Sequence, residues 1–150
     1  PDKKVTEMGD IRRQRHISGS CHCGNIKFSL AWPDAPKTIP IRACGCTLCR
    51  KHNAAWTSNP KGQFTMYVED ESKMSRYRFG TNTADFNTCT NCGVLPIVTC
   101  PIDGHRYAVV NAYTFDDVDL SEMAVTSTDF EGENTDTRLV RRRQNWTPEA

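Results

Sequence analysis

The chain has 150 residues, with 19 Lys and Arg against 18 Asp and Glu, for a formal net charge of +1. That length suits one domain with its own core and is short for two. The near-neutral balance supplies no overall field for nucleic acid or an acidic partner, and no run approaches the roughly 20 apolar residues of a membrane span.

Eight cysteines give two options, a disulfide framework or a set of metal ligands. Their spacing favours metal: Cys21-x-Cys23, Cys44-x-Cys46-x-x-Cys49 and Cys89-x-x-Cys92 each turn sulfurs toward one point. Pro1 to Gly19 is polar and rich in Lys and Arg, without the apolar core of a secretion signal. A reducing, cytoplasmic setting is the expectation.

In chain order, residues 1–17 read as a flexible arm carrying Arg12, Arg13 and Arg15, and 18–150 as a single zinc-binding domain. Gly19 to Gly24 reads as a tight turn, followed by Asn25 to Leu30 with the alternation of a half-buried strand. After a loop marked by Pro33, Pro36 and Pro40, Thr38 to Ala43 extends into the central cysteines, and Thr47 to Asn53 suits one or two helical turns. Residues 54–58, 64–69 and 73–79 read as three strands of a β-meander separated by turn chemistry. Residues 84–88 lead into the Cys89 knuckle, where Gly93 is expected at positive φ. Two more strands, 94–100 and 106–112, flank a turn at Pro101 to His105. From Asp116 onward the chain turns acidic and then basic, and reads mostly as solvated surface, with Trp146 folding back onto the core.

Counting sulfurs leaves few solutions. Cys21, Cys23, Cys89 and Cys92 make a complete tetrahedral set drawn from distant segments, as a structural zinc requires. Cys44, Cys46 and Cys49 remain for a second ion with an open fourth position. Two rivals stand beside this: a ribbon made by Cys46 and Cys49 with Cys89 and Cys92, and closure of the second site by Cys100, whose simpler reading is a small buried apolar side chain. His22 reads as solvent-facing and His105 as a turn residue.

The segments 19–28 (GSCHCGNIKF), 44–51 (CGCTLCRK), Tyr77 with Phe79-Gly80, and 89–93 (CTNCG) together resemble the glutathione-dependent formaldehyde-activating family, shared with centromere protein V. The likeness runs over roughly residues 18–120 and departs at Gly45, where many relatives have histidine, and at Thr88, in place of a phenylalanine. It implies a mainly β, Mss4-like complex fold of several antiparallel sheets stapled by zinc, with few short helices. It also implies two zinc ions per chain, structural on Cys21, Cys23, Cys89 and Cys92, and catalytic on Cys44, Cys46 and Cys49.

The function so implied is a zinc-dependent carbon–sulfur lyase acting on a small-molecule thiol adduct, glutathione plus aldehyde, or on a related small electrophile. Beside the second cluster, His52 and Arg50 are the candidate catalytic side chains, His52 as acid or base. Arg50, Lys51 and Trp56 are the candidate substrate contacts, with Arg42 a further one for substrate carboxylates. For each cation the alternative is an ordinary surface charge, and for Trp56 and Phe64 a place in the core. The partners expected are a small-molecule substrate such as glutathione, and neither membrane nor nucleic acid; a homodimer is compatible with the chain. The reading from another class is a non-catalytic zinc module, either a glutathione carrier or a protein or chromatin adaptor.

Overall fold

The computed structural model describes residues 14–33, 38–130 and 132–150. The alternation expected after the first knuckle is present in full: β2 (Ile26–Trp32) buries Ile26, Phe28, Leu30 and Trp32 and turns the intervening residues outward. It lies between β1 (Arg15–Ser20) and β5 (Gln63–Val68) in a three-stranded antiparallel sheet. Residues 15–17, read from the sequence as part of an arm, therefore belong to the sheet. Arg15, His16 and Ile17 pair along β2, and Ile17 is wholly enclosed, while residues 1–13, including Arg12 and Arg13, lie outside the described residues.

The second sheet has eight strands. Its path runs β10 (Met123–Thr128), β3 (Ile39–Cys44), β4 (Ala55–Thr57), β9 (His105–Asn111), β8 (Ile97–Ile102), β7 (Asp85–Cys89) and β6 (Met74–Tyr77). β11 (Thr147–Pro148) pairs with β9 beyond β4. The mainly β expectation holds, and two short α-helices complete the described structure: α1 (Thr47–His52) and α2 (Thr135–Asn145). None of the described helices is long and apolar enough to cross a membrane.

One reading needs correction. The three middle strands are not a meander: β4 is buried on both faces between β3 and β9, β5 joins the other sheet, and β6 pairs with β7. Propensity marks strands but not their partners, and a strand as short and enclosed as Ala55-Trp56-Thr57 belongs in the middle of a sheet. The tail is mostly exposed, as the sequence suggests, but it is built into regular elements. β10 docks parallel to β3, Leu120–Glu122 forms a 3-10 turn with an Asp119–Glu122 capping box, and α2 brings Trp146 and Arg142 into the interior. Trp146 does fold onto the core, as the sequence suggests.

The buried residues form two clusters. One, around Ile17, Phe28, Leu30, Phe64 and Ile97, joins the two sheets. The other, around Cys49, Trp56, Val98, Cys100, Val109 and Trp146, lies beneath α1 and α2 and backs the site described next.

Candidate metal and substrate site

Two backbone knuckles of the same design bring the first four sulfurs together. In one, the Cys21 N–H donates to Ile26 O, the Gly24 N–H to Cys21 O, and the Ile26 N–H to Cys21 Sγ at 3.2 Å. In the other, the Cys89 N–H donates to Val94 O and the Gly93 N–H to Cys89 O. Gly24 and Gly93 both sit at φ +83°, the left-handed turn that lets amides face the thiols and that a side chain would strain. Buried Asn25 ties the first knuckle to the β5–β6 turn, accepting from the Asp70 N–H and donating to Asp70 O. Tetrahedral zinc thiolates place sulfurs about 3.8 Å apart, from a metal–sulfur distance of about 2.3 Å. Here Cys21 Sγ and Cys23 Sγ are 3.8 Å apart, Cys23 Sγ and Cys89 Sγ 3.5 Å, and all four, with Cys92, lie within 4.8 Å of one another.

The second cluster rests on one strand end and one helix start. Cys44 ends β3, Cys46 caps α1 with its sulfur accepting from the Cys49 N–H at 3.5 Å, and Cys49 points inward from α1, where it accepts from Trp56 Nε1 at 3.3 Å. The Gly45 N–H donates to Thr128 O at 2.7 Å, fastening the cluster to β10. The three sulfurs lie within 4.8 Å of one another, and among the described residues no fourth ligand joins them. All eight cysteines are free thiols. The ribbon pairing of Cys46 and Cys49 with Cys89 and Cys92 does not occur, because the sulfurs belong to two separate groups. Cys100 joins neither group; it is fully buried and its sulfur lies 3.4 Å from Arg142 Nη1.

Within each group the thiols divide their protons unevenly. The hydrogen bond from Cys49 pulls Cys44 down to about 6, and the same bond, together with burial, pushes Cys49 up. In the first group, Asn91 pulls Cys23 down to about 6, while burial pushes Cys21 up to about 11. Sulfurs this close cannot all ionise unless a cation takes the place of their protons, which is what a metal does. The donor sets, four thiols and three, therefore fit soft-ligand metals such as zinc.

A cavity of about 410 Å³ opens over the second cluster. Arg42, Cys44, Cys46 and Cys49 line one part of it, and Trp56, Phe79 and Phe86 an aromatic part. The rings of Phe79 and Phe86 meet at 4.9 Å, and Phe86 meets Trp56 edge to face at 6.4 Å. From the C-terminal segment come Phe130, Glu133, Arg138, Arg141, Arg142 and Trp146.

Of the side chains that the sequence singles out, the structure brings Trp56, Arg42 and the three cysteines to this cavity. It places Arg50, Lys51 and His52 in solvent and outside the cavity lining. Rotation accounts for the first two: at about 100° per residue, a helix that aims Cys49 inward turns Arg50 and Lys51 away, while His52, the last residue of α1, is exposed at the helix end. His52 borders a separate shallow depression with Leu48, Ser75 and Tyr77. Phe64 is fully enclosed in the core.

The cavity's other cations were not legible beforehand. Arg138, Arg141 and Arg142 have the i, i+3, i+4 spacing of one helix face, and that spacing next to a buried Trp was the available signal. Glu133 accepts from Arg138 Nε at 3.1 Å and from Arg141 Nη2 at 3.0 Å, and Arg141 lies 3.6 Å over the Phe130 ring. Burial pulls the Arg42 and Arg142 guanidinia below their usual range. Arg143 instead pairs with Asp103, and Arg15 with Glu122.

The Glu133 pairing carries a pH prediction. The hydrogen bond from Arg141, followed by that from Arg138, holds the Glu133 carboxyl below its usual range. Its folded pKa lies below its unfolded value of about 4.3, so the stability it gives is present above that value and lost as pH falls through the folded pKa. Tryptophan fluorescence titrated below about pH 4.5 is expected to show the cavity loosening in wild type, with that limb flattened in Glu133→Gln. Coincident acid limbs in the two proteins would remove Glu133 as the cause.

Together, the fold and these groups define a mainly β protein with two cysteine sites that could hold metal ions, one of them open to a cavity rich in arginine and aromatic side chains. The chain belongs to the glutathione-dependent formaldehyde-activating enzyme family, whose pattern matches residues 16–132. It is also similar to the crystal structure of a Rhodobacter sphaeroides protein, with 21% identity and a TM-score of 0.50 over 73% of this chain and 99% of that one. At that identity the likeness concerns the fold.

Proposed function

We propose that the protein is a zinc-dependent carbon–sulfur lyase of small molecules, joining a thiol such as glutathione to an aldehyde and cleaving the adduct in reverse, in a reducing cytoplasmic setting. The observation that carries this reading is that Cys44, Cys46 and Cys49 all line the cavity rather than lying closed beneath it. Cys21, Cys23, Cys89 and Cys92 are the structural set. Zinc held by the three-cysteine set would supply a cationic centre that lowers the pKa of a substrate thiol.

The chain's own residues do the rest. The indole N–H of Trp56 fixes the Cys49 sulfur, and the Cys49 amide fixes that of Cys46, so two of the three donors are held in place. Phe79, Phe86 and Trp56 keep water off one side of the cavity, which protects a thiol adduct from exchange with solvent. Arg42 stands on β3 opposite Trp56 on β4, with Nη2 donating to Ser58 Oγ, and offers its charge to an anionic substrate. His52 and Arg50, facing solvent, reach substrate only from the cavity's outside; any proton relay by His52 would pass through water.

Metal analysis of wild type and Cys46→Ala, paired with circular dichroism, tests the assignment. Wild type is expected to hold two equivalents and the variant one, with the fold intact. Isotope-exchange NMR with glutathione and formaldehyde is expected to show adduct exchange above the uncatalysed rate in wild type only. Loss of both metals, or unfolding of Cys46→Ala, would make the second cluster structural. Binding of glutathione without faster exchange would make the protein a carrier.

A further inference from the structure

Arg142 is the one charged side chain among the described residues that is buried, at 7% exposure. Its Nη1 donates to Thr83 Oγ1 at 2.8 Å and to Cys100 Sγ at 3.4 Å, and its guanidinium lies 4.8 Å from the centre of the Trp146 ring. Its Nε is enclosed and has no hydrogen-bond partner. Among the described residues, no carboxylate stands within ion-pair distance of Arg142 or of Arg42, whose hydrogen bond goes to Ser58. Arg138 and Arg141 differ, because they share Glu133, whose one negative charge balances one of their two positive ones. Four arginines line the cavity, and two lack an anion.

A confined guanidinium with an unused donor is costly unless an anion completes it. With Nη1 engaged and Nε enclosed, Nη2 is the donor that has no partner and is not enclosed, and it can donate to a carboxylate that enters the cavity. Apolar and aromatic walls at Trp56, Phe79, Phe86 and Trp146 suit the carbon body of an organic acid, and exclusion of water strengthens the ion pair. We propose that Arg142, with Arg42, forms a carboxylate-binding subsite in this cavity, so that the substrate is a small thiol or thiol adduct that carries a carboxylate. The inference rests on the thiol chemistry proposed above and specifies its substrate class. The sulfur takes the end of the cavity lined by Cys44, Cys46 and Cys49, and the carboxylate takes Arg142. Arg142 is then a specificity residue contributed by a helix that supplies none of the cysteines.

The test uses metal-loaded full-length protein and four probes: 3-mercaptopropionate, 3-mercapto-1-propanol, propionate and 1-propanol. Binding is followed by calorimetry and by the fluorescence of Trp56 and Trp146, which line the cavity. Wild type is expected to bind 3-mercaptopropionate at least tenfold tighter than the mercapto-alcohol. In Arg142→Gln the preference is expected to fall to within threefold, with the mercapto-alcohol's affinity unchanged. Arg42→Gln, at a less confined position, is expected to reduce the preference in part and covers the case in which Arg142→Gln does not fold. Equal affinity for the two thiols in wild type, or an undiminished preference in both variants, would overturn the subsite. If propionate binds through Arg142 while neither thiol outdoes its sulfur-free counterpart, the thiol chemistry fails and the subsite stands. If the mercapto-alcohol outdoes 1-propanol but no carboxylate preference exists, the subsite alone fails.

Discussion

Cys89→Ser is expected to leave the protein unable to hold its native structure, with little soluble product, no cooperative thermal transition and loss of the first metal. Cys89 is fully enclosed, its sulfur lies 3.5 Å from that of Cys23, and its strand pairs with both β6 and β8. A structural zinc contributes apparent binding free energies of about 10–16 kcal/mol in small zinc peptides, comparable with the entire stability of an ordinary domain at about 5–15 kcal/mol. Serine cannot replace the thiolate at neutral pH, and the three remaining sulfurs would be left as partly buried thiols. The contrast that gives the result meaning is Cys100→Ser. That residue is equally enclosed but belongs to neither sulfur group, so the variant is expected to keep both metals and a folded state. A Cys89→Ser protein melting within a few degrees of wild type would show that β6, β7 and the first knuckle stand without a metal staple.

How much of this was legible in the sequence follows from which contacts are local. The knuckles are local: Cys21 to Ile26 and Cys89 to Val94 close on themselves through backbone bonds a few residues long, and the glycines at 24 and 93 mark the turn. Cysteine spacing therefore marked the three local sulfur motifs, whereas which of them share a site is a matter of distant segments meeting. Pairing of the middle strands is not local. Residues 55–57 and 63–68 look alike as sequence, yet Trp56 faces Asn111 and Arg42, whereas Phe64 faces Leu30. The first strand was hidden for a simpler reason, since Ile17 is the lone large apolar residue in Arg15–Ser20.

The arginine wall was the least legible part, and the cause is chemical. Composition rules place arginine at the surface, so a tail with Arg138, Arg141, Arg142 and Arg143 reads as solvated. Three of those four line a cavity, because Glu133, Phe130 and Trp146 receive their charges and their stems. Conversely, Arg50, Lys51 and His52 follow Cys49 directly in the chain, and nearness in sequence made them attractive as site residues. On a helix, the neighbour of an inward residue faces out.

That geometry makes Trp146 the side chain on which the C-terminal half of the cavity depends. It is 7% exposed, its backbone N–H donates to Arg142 O at 2.7 Å, its ring lies beneath the Arg142 guanidinium, and β11, which follows at once, anchors it to β9. Trp146→Ala removes an aromatic group from a packed cluster containing Trp56, Val98, Cys100 and Val109, a change that costs about 3–5 kcal/mol. For a chain of this size the melting temperature is expected to fall by roughly 10 °C. A loss of packing alone would be recovered in large part by Trp146→Phe, which restores the ring. The loss specific to the cavity is different: without the indole, Arg142 has no surface to hold its fork against Thr83 and Cys100, so carboxylate preference is expected to fall along with stability in Trp146→Ala and to return in Trp146→Phe. A Trp146→Ala protein as stable as wild type would mean that α2 docks through Leu139 and the Glu133 pairs instead, and that the ring merely covers a wall already held by other contacts.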